Sequence, residues 1–206
     1  MSWNALIITL GWLAVAVGLV SAATQLRRVS LEGVEGVSLA TWSLFSFMGC
    51  FWIAYGVADR SWTVTMGSLL VLPIQVAIMA RLKPWLARRT VAGALLVFVV
   101  TCLIPALIWG WIGGVYGTGV ATSVTRLPQL IELIRHRDAS GVSTAAWTLS
   151  VASSVLWISY YDGIRLWAAL TATCFAGAAS LMIASLAAWR HRQMGRTLIR
   201  DEVFVY

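Results

Sequence analysis

The sequence has few charged residues, only four prolines, and a single asparagine, Asn4. Charged residues make up 11% of the 206 positions and apolar residues 60%, which is more apolar surface than a soluble core of this size could bury. The three cysteines form no CxxC pair, which argues against a disulfide framework. The sequence shows no metal-ligand cluster, no Ser-His-Asp set and no glycine-rich phosphate loop. We therefore predict an integral membrane protein that is not an enzyme and carries no cofactor or metal.

The apolar residues fall into long runs. A membrane-spanning helix needs about 20 of them, and no Lys or Arg precedes the first run, so we expect that run to remain as a helix rather than be cleaved. The runs lack the period-two alternation of a transmembrane β-barrel. The sequence therefore predicts seven transmembrane helices, approximately at residues 3–23, 37–57, 62–82, 91–109, 112–134, 142–161 and 166–189.

One segment of the sequence is repeated. Residues 36–62 and 141–167 align without a gap at a shift of 105 positions, and 11 of the 27 aligned pairs are identical, three of them tryptophans. Such a repeat predicts an internal duplication. Because three helices are an odd number, a linker helix is needed to make the two units parallel. The predicted fold is an all-α membrane protein of two parallel triple-helix bundles joined by a linker helix (3+1+3), with the first bundle at 1–82, an inner basic loop and linker at 83–110, the second bundle at 111–189 and a cytoplasmic tail at 190–206.

The basic residues are distributed unevenly between the predicted loops. Of the fifteen Lys and Arg residues, twelve lie on one side of the predicted membrane, two lie on the other, and Arg126 lies within the fifth helix. Cytoplasmic loops carry the excess of positive charge, so we predict an outer amino terminus and a cytoplasmic carboxyl terminus, in the plasma (inner) membrane. The net charge of +7 is explained by this orientation, and no nucleic-acid partner is expected.

Two motifs in the repeat resemble those of a known family. Residues 126–147, RLPQLIELIRHRDASGVSTAAW, resemble the PQ-loop motif, and WIAYG at 52–56 and WISYY at 157–161 resemble the Trp-x-x-Tyr-Gly element of the SWEET and SemiSWEET sugar transporters. The 3+1+3 layout extends the resemblance along nearly the whole chain. The resemblance implies a transporter that moves a small polar solute, such as a sugar, down its gradient by alternating access, with that solute and the lipid bilayer as its partners.

The resemblance also implies a binding site. Trp52 and Trp157 match the tryptophans that stack on the solute in the central pocket, and Ser68 and Thr173 stand where the family has hydrogen-bonding asparagines. A hydroxyl can donate and accept a hydrogen bond through one oxygen, whereas an amide has its donor and its acceptor on separate atoms and can hold two groups at once. The alternative for the tryptophans is packing or lipid contact.

Five further residues are candidates for gating or for a hinge. The family kinks its helices with prolines, of which this chain retains Pro128. Gln25 and Gln129 are predicted at helix ends, where an amide can cap the backbone or join a gate. Tyr55 and Tyr160 are the tyrosines of the repeated element.

Arg126 is the only basic residue that lies well inside a predicted helix rather than at its end, and ionisable groups inside a membrane are functional candidates. Two roles stay open. One is structural, as an anchor or as a partner of Glu35, Glu132 or Asp138, and the other is contact with an anionic solute.

A second function class also stays open. The missing asparagines and prolines favour a receptor, or an assembly or regulatory protein, on the same scaffold, whereas the duplicated Trp-x-x-Tyr elements favour transport. Oligomeric state and proton coupling are not predicted.

Overall fold

The computed structural model describes residues 2–31, 33–34, 37–135 and 144–203, with side chains left undescribed at 128, 129, 132, 145, 146 and 194–203. This part of the chain is helical and contains no strand. A 3-10 turn lies at Pro84–Leu86 and a π-helical turn at Val99–Leu103. The helices are α1 (Trp3–Leu31), α2 (Leu39–Ala58), α3 (Trp62–Arg81), α4 (Arg88–Phe98), α5 (Ile104–Arg135), α6 (Thr144–Gly163) and α7 (Trp167–Val203).

Several helical segments have the length and composition of membrane spans. Within the described ranges there are five: Trp3–Leu31, Leu39–Ala58, Trp62–Arg81, Arg88–Leu127 and Trp167–Gln193. Large apolar side chains lie on their outer surfaces, including Leu107 and Trp62, which are 85% and 72% exposed. Such surfaces suit lipid rather than water. The predicted all-helical class is thus confirmed for the described residues, and five of the helical segments are long and apolar enough to span a membrane. The predicted count of seven spans stays a prediction.

The chain reverses direction inside the segment Arg88–Leu127. Trp109 and Gly110 have non-helical backbone angles, and Gly110 has a φ of 68°, which a residue without a Cβ adopts at little cost. After this break, the helical segment that follows Gly110 runs back alongside the helical segment that precedes Trp109. Gly113 packs on the backbone of Pro105, and Gly117 packs on the backbone of Thr101. The segment therefore forms a helical hairpin.

Two helices are longer than predicted. Helix α1 was predicted to end at residue 23 but runs to Leu31, and Gly33, with a φ of 97°, follows it. Gln25 therefore lies within the helix and not at its end, so that part of the prediction is wrong. Helix α7 was predicted to end at residue 189 but runs to Val203, so most of the predicted tail is helical. Hydropathy marks where a helix leaves the membrane, and a helix continues past that point until the backbone meets a breaker.

The helices pack in two similar groups. Helix α3 lies against both α1 and α2, and α7 lies against both α5 and α6. The groups meet where α1 packs on α6 and where α2 approaches α5, while α4 packs on α2. The largest buried cluster draws on both groups, from Ile7 in α1 to Ala169 in α7. The third helix of each group therefore holds the other two, and the interface between the groups lies along α1 and α6.

We expect a side chain at Gly117 to destabilise the hairpin. A Cβ at this position would collide with the backbone of Thr101, whereas nothing lies within 4 Å of a Cβ at Gly93 on α4. Overpacking of this kind costs roughly 1–3 kcal/mol. Gly117→Val should therefore lower the thermal unfolding temperature in detergent by several degrees, and Gly93→Val, the matched control, should change it much less. Equal melting of the two variants would contradict the hairpin contact.

Candidate functional site

A cavity of about 300 Å³ lies between the two groups of helices. Six helices contribute to its wall: α1, α2 and α3 from the first group, and α5, α6 and α7 from the second. The four predicted substrate-binding residues, Trp52, Trp157, Ser68 and Thr173, all line it. Residues that are far apart in the sequence are thus brought to one place.

The wall of the cavity follows the internal repeat. Positions in α2 and α3 match those in α6 and α7 at the shift of 105, and positions in α1 match those in α5 at a shift of 104, because the first loop is one residue shorter. At these shifts, seven matched pairs have both members in the wall. The pairs are Ala14/Thr118, Val15/Gly119, Gly18/Thr122, Trp52/Trp157, Gly67/Ala172, Ser68/Thr173 and Val71/Ala176. Matched positions of the two halves therefore supply most of the cavity wall.

An aromatic stack forms one end of the cavity. The ring of Tyr161 lies between the rings of Trp52 and Trp157, with centroid distances of 6.5 and 5.3 Å and interplanar angles of 14° and 21°. Tyr161 also lines the cavity, and it is a site residue that the sequence interpretation missed. Tyr161 is the last residue of WISYY, and the matching residue of WIAYG in the first repeat is Gly56; this difference could have drawn attention to it. That glycine packs on the backbone nitrogen and hydroxyl of Thr65, which leaves no room for a tyrosine.

Tyr55 and Tyr160 do not line the cavity. Tyr55 is buried beside the rings of Phe51, Trp52 and Trp111. The hydroxyl of Tyr160 lies 3.2 Å from Oγ of Ser61 and links α6 to the start of α3. Both tyrosines thus pack next to the aromatic stack, between the ends of helices from the two halves. Their predicted gating role stays a prediction.

The hydroxyl groups in the wall are largely committed to the backbone. Thr118, Thr122 and Thr173 each donate to a carbonyl three or four residues earlier in their own helix, at 2.7 Å. They therefore offer oxygen lone pairs to a solute but no proton. Ser68 makes no hydrogen bond within the described ranges and can both donate and accept. Gln75 also lines the cavity, and its Oε1 is buried without a hydrogen-bond partner.

The other predicted gating residues receive less support from the geometry. Gln25 is half-buried within α1, away from the cavity wall. The side chains of Pro128 and Gln129 lie outside the described residues, and the backbone of α5 is helical through both positions. Ser38 is the N-cap of α2 and accepts a hydrogen bond from the Thr41 nitrogen at 3.3 Å. Its counterpart Ser143 lies outside the described residues.

Arg126 lies one turn beyond Thr122 on α5 and does not line the cavity. Its guanidinium carbon is 5.7 Å from the ring centroid of Trp147 on α6. Its Nε and one terminal nitrogen are buried and have no hydrogen-bond partner among the described residues. Its suggested partners Glu35, Glu132 and Asp138 fall on positions outside the described residues or side chains. Contact of Arg126 with an anionic solute stays a prediction.

We expect the Tyr161 ring to stabilise the protein by packing. Tyr161→Ala should cost roughly 3 kcal/mol or more, because it removes a ring held between two others. Tyr161→Phe should cost little, since no described residue hydrogen-bonds the Tyr161 hydroxyl, whereas Tyr160→Phe should cost about 1 kcal/mol through the lost contact with Ser61. Thermal unfolding in detergent measures all three. A Tyr161→Ala protein as stable as wild type would contradict the stack.

We expect Arg126→Met to raise the unfolding temperature, because two of its buried nitrogens have no hydrogen-bond partner among the described residues and a buried, poorly paired charge is costly. Methionine keeps most of the length of the side chain. Arg27→Met, at an exposed position of α1, is the control and should change stability by less than about 0.5 kcal/mol. A clear loss of stability in Arg126→Met would instead indicate that the guanidinium is well paired.

Comparisons with family models, with curated proteins and with solved structures found no match. A function for this protein therefore has to be argued from the repeat, from the cavity between its halves, and from the chemistry of the side chains that line that cavity.

Proposed function

We propose that this protein is a membrane transporter that moves a small polar solute through the cavity by alternating access. The observation that carries the proposal is the set of seven repeat-related pairs in the cavity wall. A site on the axis between two halves of one fold is where parallel-repeat transporters bind their solutes. A volume of about 300 Å³ accommodates a solute of several carbon atoms together with bound water.

The proposed topology is the 3+1+3 arrangement of seven spans. The segment Arg88–Leu127 is long enough for two spans once its reversal at Gly110 is taken into account, and α6 joins α5 and α7 in the second group. Helix α6 is not among the five segments that qualify as spans by composition; its Ser150 hydroxyl lies 3.2 Å from that of Ser180 on α7, and its Ser154 donates to the Ser150 carbonyl. The charge distribution then favours an outer amino terminus and a cytoplasmic carboxyl terminus.

In this orientation the aromatic stack lies on the outer side of the cavity. Trp52 and Trp157 are each within two turns of the outer ends of α2 and α6, and the Tyr160–Ser61 contact lies nearby. Opening the cavity outward requires the two halves to separate at these contacts. Tyr55 and Tyr160 are therefore proposed as outer gating residues that act through packing and not through direct contact with solute.

We expect Trp52→Ala and Trp157→Ala each to reduce solute uptake about tenfold or more, since an aromatic contact contributes up to about 1.5 kcal/mol beyond its buried area. Uptake of labelled sugars, amino acids and small acids into proteoliposomes measures this. Trp62→Ala is the matched control, because that side chain is 72% exposed and does not line the cavity. A folded protein that takes up none of these solutes would favour a receptor or assembly protein instead.

A further inference from the structure

The inner end of the cavity belongs to the first half alone. In the proposed orientation α2 runs from the inner to the outer side and α3 runs back, so the wall residues inward of Trp52 on α2 and of Ser68 on α3 face the cytoplasmic end. Several of these have no repeat-related partner in the wall, namely Phe45, Met48, Gly49 and Gln75. Phe45 lies about 9 Å along α2 from its first residue, Leu39, and Gln75 lies about 9 Å along α3 from its last residue, Arg81. The cavity therefore reaches towards the cytoplasmic side through the first half.

The second half is closed at the same level. Its matching residues on α6 and α7 include Ser150, Ser154 and Ser180, and none of the three lines the cavity. The Ser180 hydroxyl donates to a backbone carbonyl of its own helix at 3.0 Å and lies 3.2 Å from the Ser150 hydroxyl. A Cβ at Gly177 on α7 would lie 3.0 Å from the Cβ of Ser154 on α6. Small side chains thus let α6 and α7 pack closely at a level where α2 and α3 border the cavity.

The outer end of the cavity is sealed in this structure. Val64 and Tyr161, the outermost wall residues on α3 and α6, are 2% and 5% exposed. Beyond them, the Tyr160 hydroxyl lies 3.2 Å from Oγ of Ser61, and Gly11 packs directly on the Tyr160 ring. A solute cannot pass these contacts unless the two halves separate.

The inner end is packed less closely than the outer end. Phe45, Gly49 and Gln75 are only half-buried, and so is Gly18, the innermost wall residue on α1. No atom of the described residues lies within 4 Å of a Cβ built at Gly18, so there is open space beside this position. Among the described residues, the cavity is thus closed towards the outside and not towards the cytoplasmic side.

We propose that the cavity communicates with the cytoplasmic side through the first half, along Gly18, Phe45, Gly49 and Gln75, and that the second half is the closed wall of this passage. The structure then represents the inward-facing state of the transporter. This inference rests on the proposed function and its orientation, since it describes how solute enters or leaves the same cavity. Both halves line the site through their paired residues, while one half provides the route to the cytoplasm.

Single cysteines report which half lines the passage. They are introduced into the full-length protein after its own cysteines, Cys50, Cys102 and Cys174, have been replaced by alanine. The probe is a membrane-impermeant methanethiosulfonate that carries a trimethylammonium group, added to inside-out and to right-side-out vesicles. Because the labelling rate depends on access to the thiol, we expect Phe45→Cys and Gln75→Cys to react from the cytoplasmic side about tenfold faster than their repeat-related controls, Ser150→Cys and Ser180→Cys. From the outer side, all four should react slowly.

A side chain at Gly18 should obstruct the passage without disturbing the packing. Ser68→Cys, at a deeper position in the cavity wall, reports the obstruction. Adding Gly18→Leu should slow the labelling of Ser68→Cys from the cytoplasmic side about fivefold or more, because the leucine restricts access. Gly93→Leu is the matched control and should leave the labelling rate unchanged, because a Cβ there also meets no atom within 4 Å and Gly93 lies on α4, outside the wall.

Two results would overturn the inference: labelling of Ser150→Cys and Ser180→Cys as fast as that of Phe45→Cys and Gln75→Cys, or faster labelling of the last two from the outer side. Its failure is distinguishable from failure of the transport proposal, because labelling does not require transport. If the panel of solutes is taken up into proteoliposomes but the labelling pattern fails, the passage is wrong and the transporter stands. If the pattern holds and nothing is taken up, the passage leads to a ligand pocket and the transport proposal is wrong.

Discussion

Close contact between helices at small residues is the interaction on which the rest of the structure depends. In a bilayer, lipid tails are as apolar as the helix surfaces, so helices associate through tight packing rather than through the hydrophobic effect. Gly117 allows the two helical segments of the hairpin to pack closely. In the same way, Gly119 of α5 packs on Ala172 of α7, and Gly56 of α2 packs on Thr65 of α3. Similar close contacts also join the two groups, where Gly11 packs on Tyr160 and Gly163 packs on Ile7, so the cavity is a gap within a close-packed interface.

The cavity lies between the duplicated halves, and the residues that differ between the halves make its two sides chemically different. Repeat-related residues supply most of the wall, so the site belongs to the pair of halves and not to either one. Six wall residues have no repeat-related partner in the wall, and two of them, Tyr161 and Gln75, carry polar groups. Tyr161 fills the space between two tryptophans where its counterpart is Gly56, and Gln75 keeps an unpaired amide oxygen where its counterpart Ser180 is satisfied.

The accuracy of the predicted helices varied along the chain for a physical reason. Helices α2 and α3 agree with the prediction within two residues, because short polar loops with turn residues separate them. The ends of α1 and α7 were placed too early, since hydropathy reports the membrane boundary while the helix continues through polar residues such as Arg27 until a breaker intervenes. The structure brings the four predicted binding residues together in the cavity wall. Tyr161 and Gln75 also line the cavity, but the internal repeat could not indicate them, because neither residue is present at the matching position of the other half.

The sequence by itself determined the membrane class, the duplicated halves and the pair of tryptophans, because these depend on composition and on local similarity between two stretches of chain. Only the tertiary structure decided which polar groups remain available. Whether a hydroxyl can donate to a solute depends on whether its proton already reaches a backbone carbonyl, as at Thr173, and whether an amide needs a partner depends on what surrounds it, as at Gln75. Those conditions arise when distant helices meet, so no pattern within one helix records them.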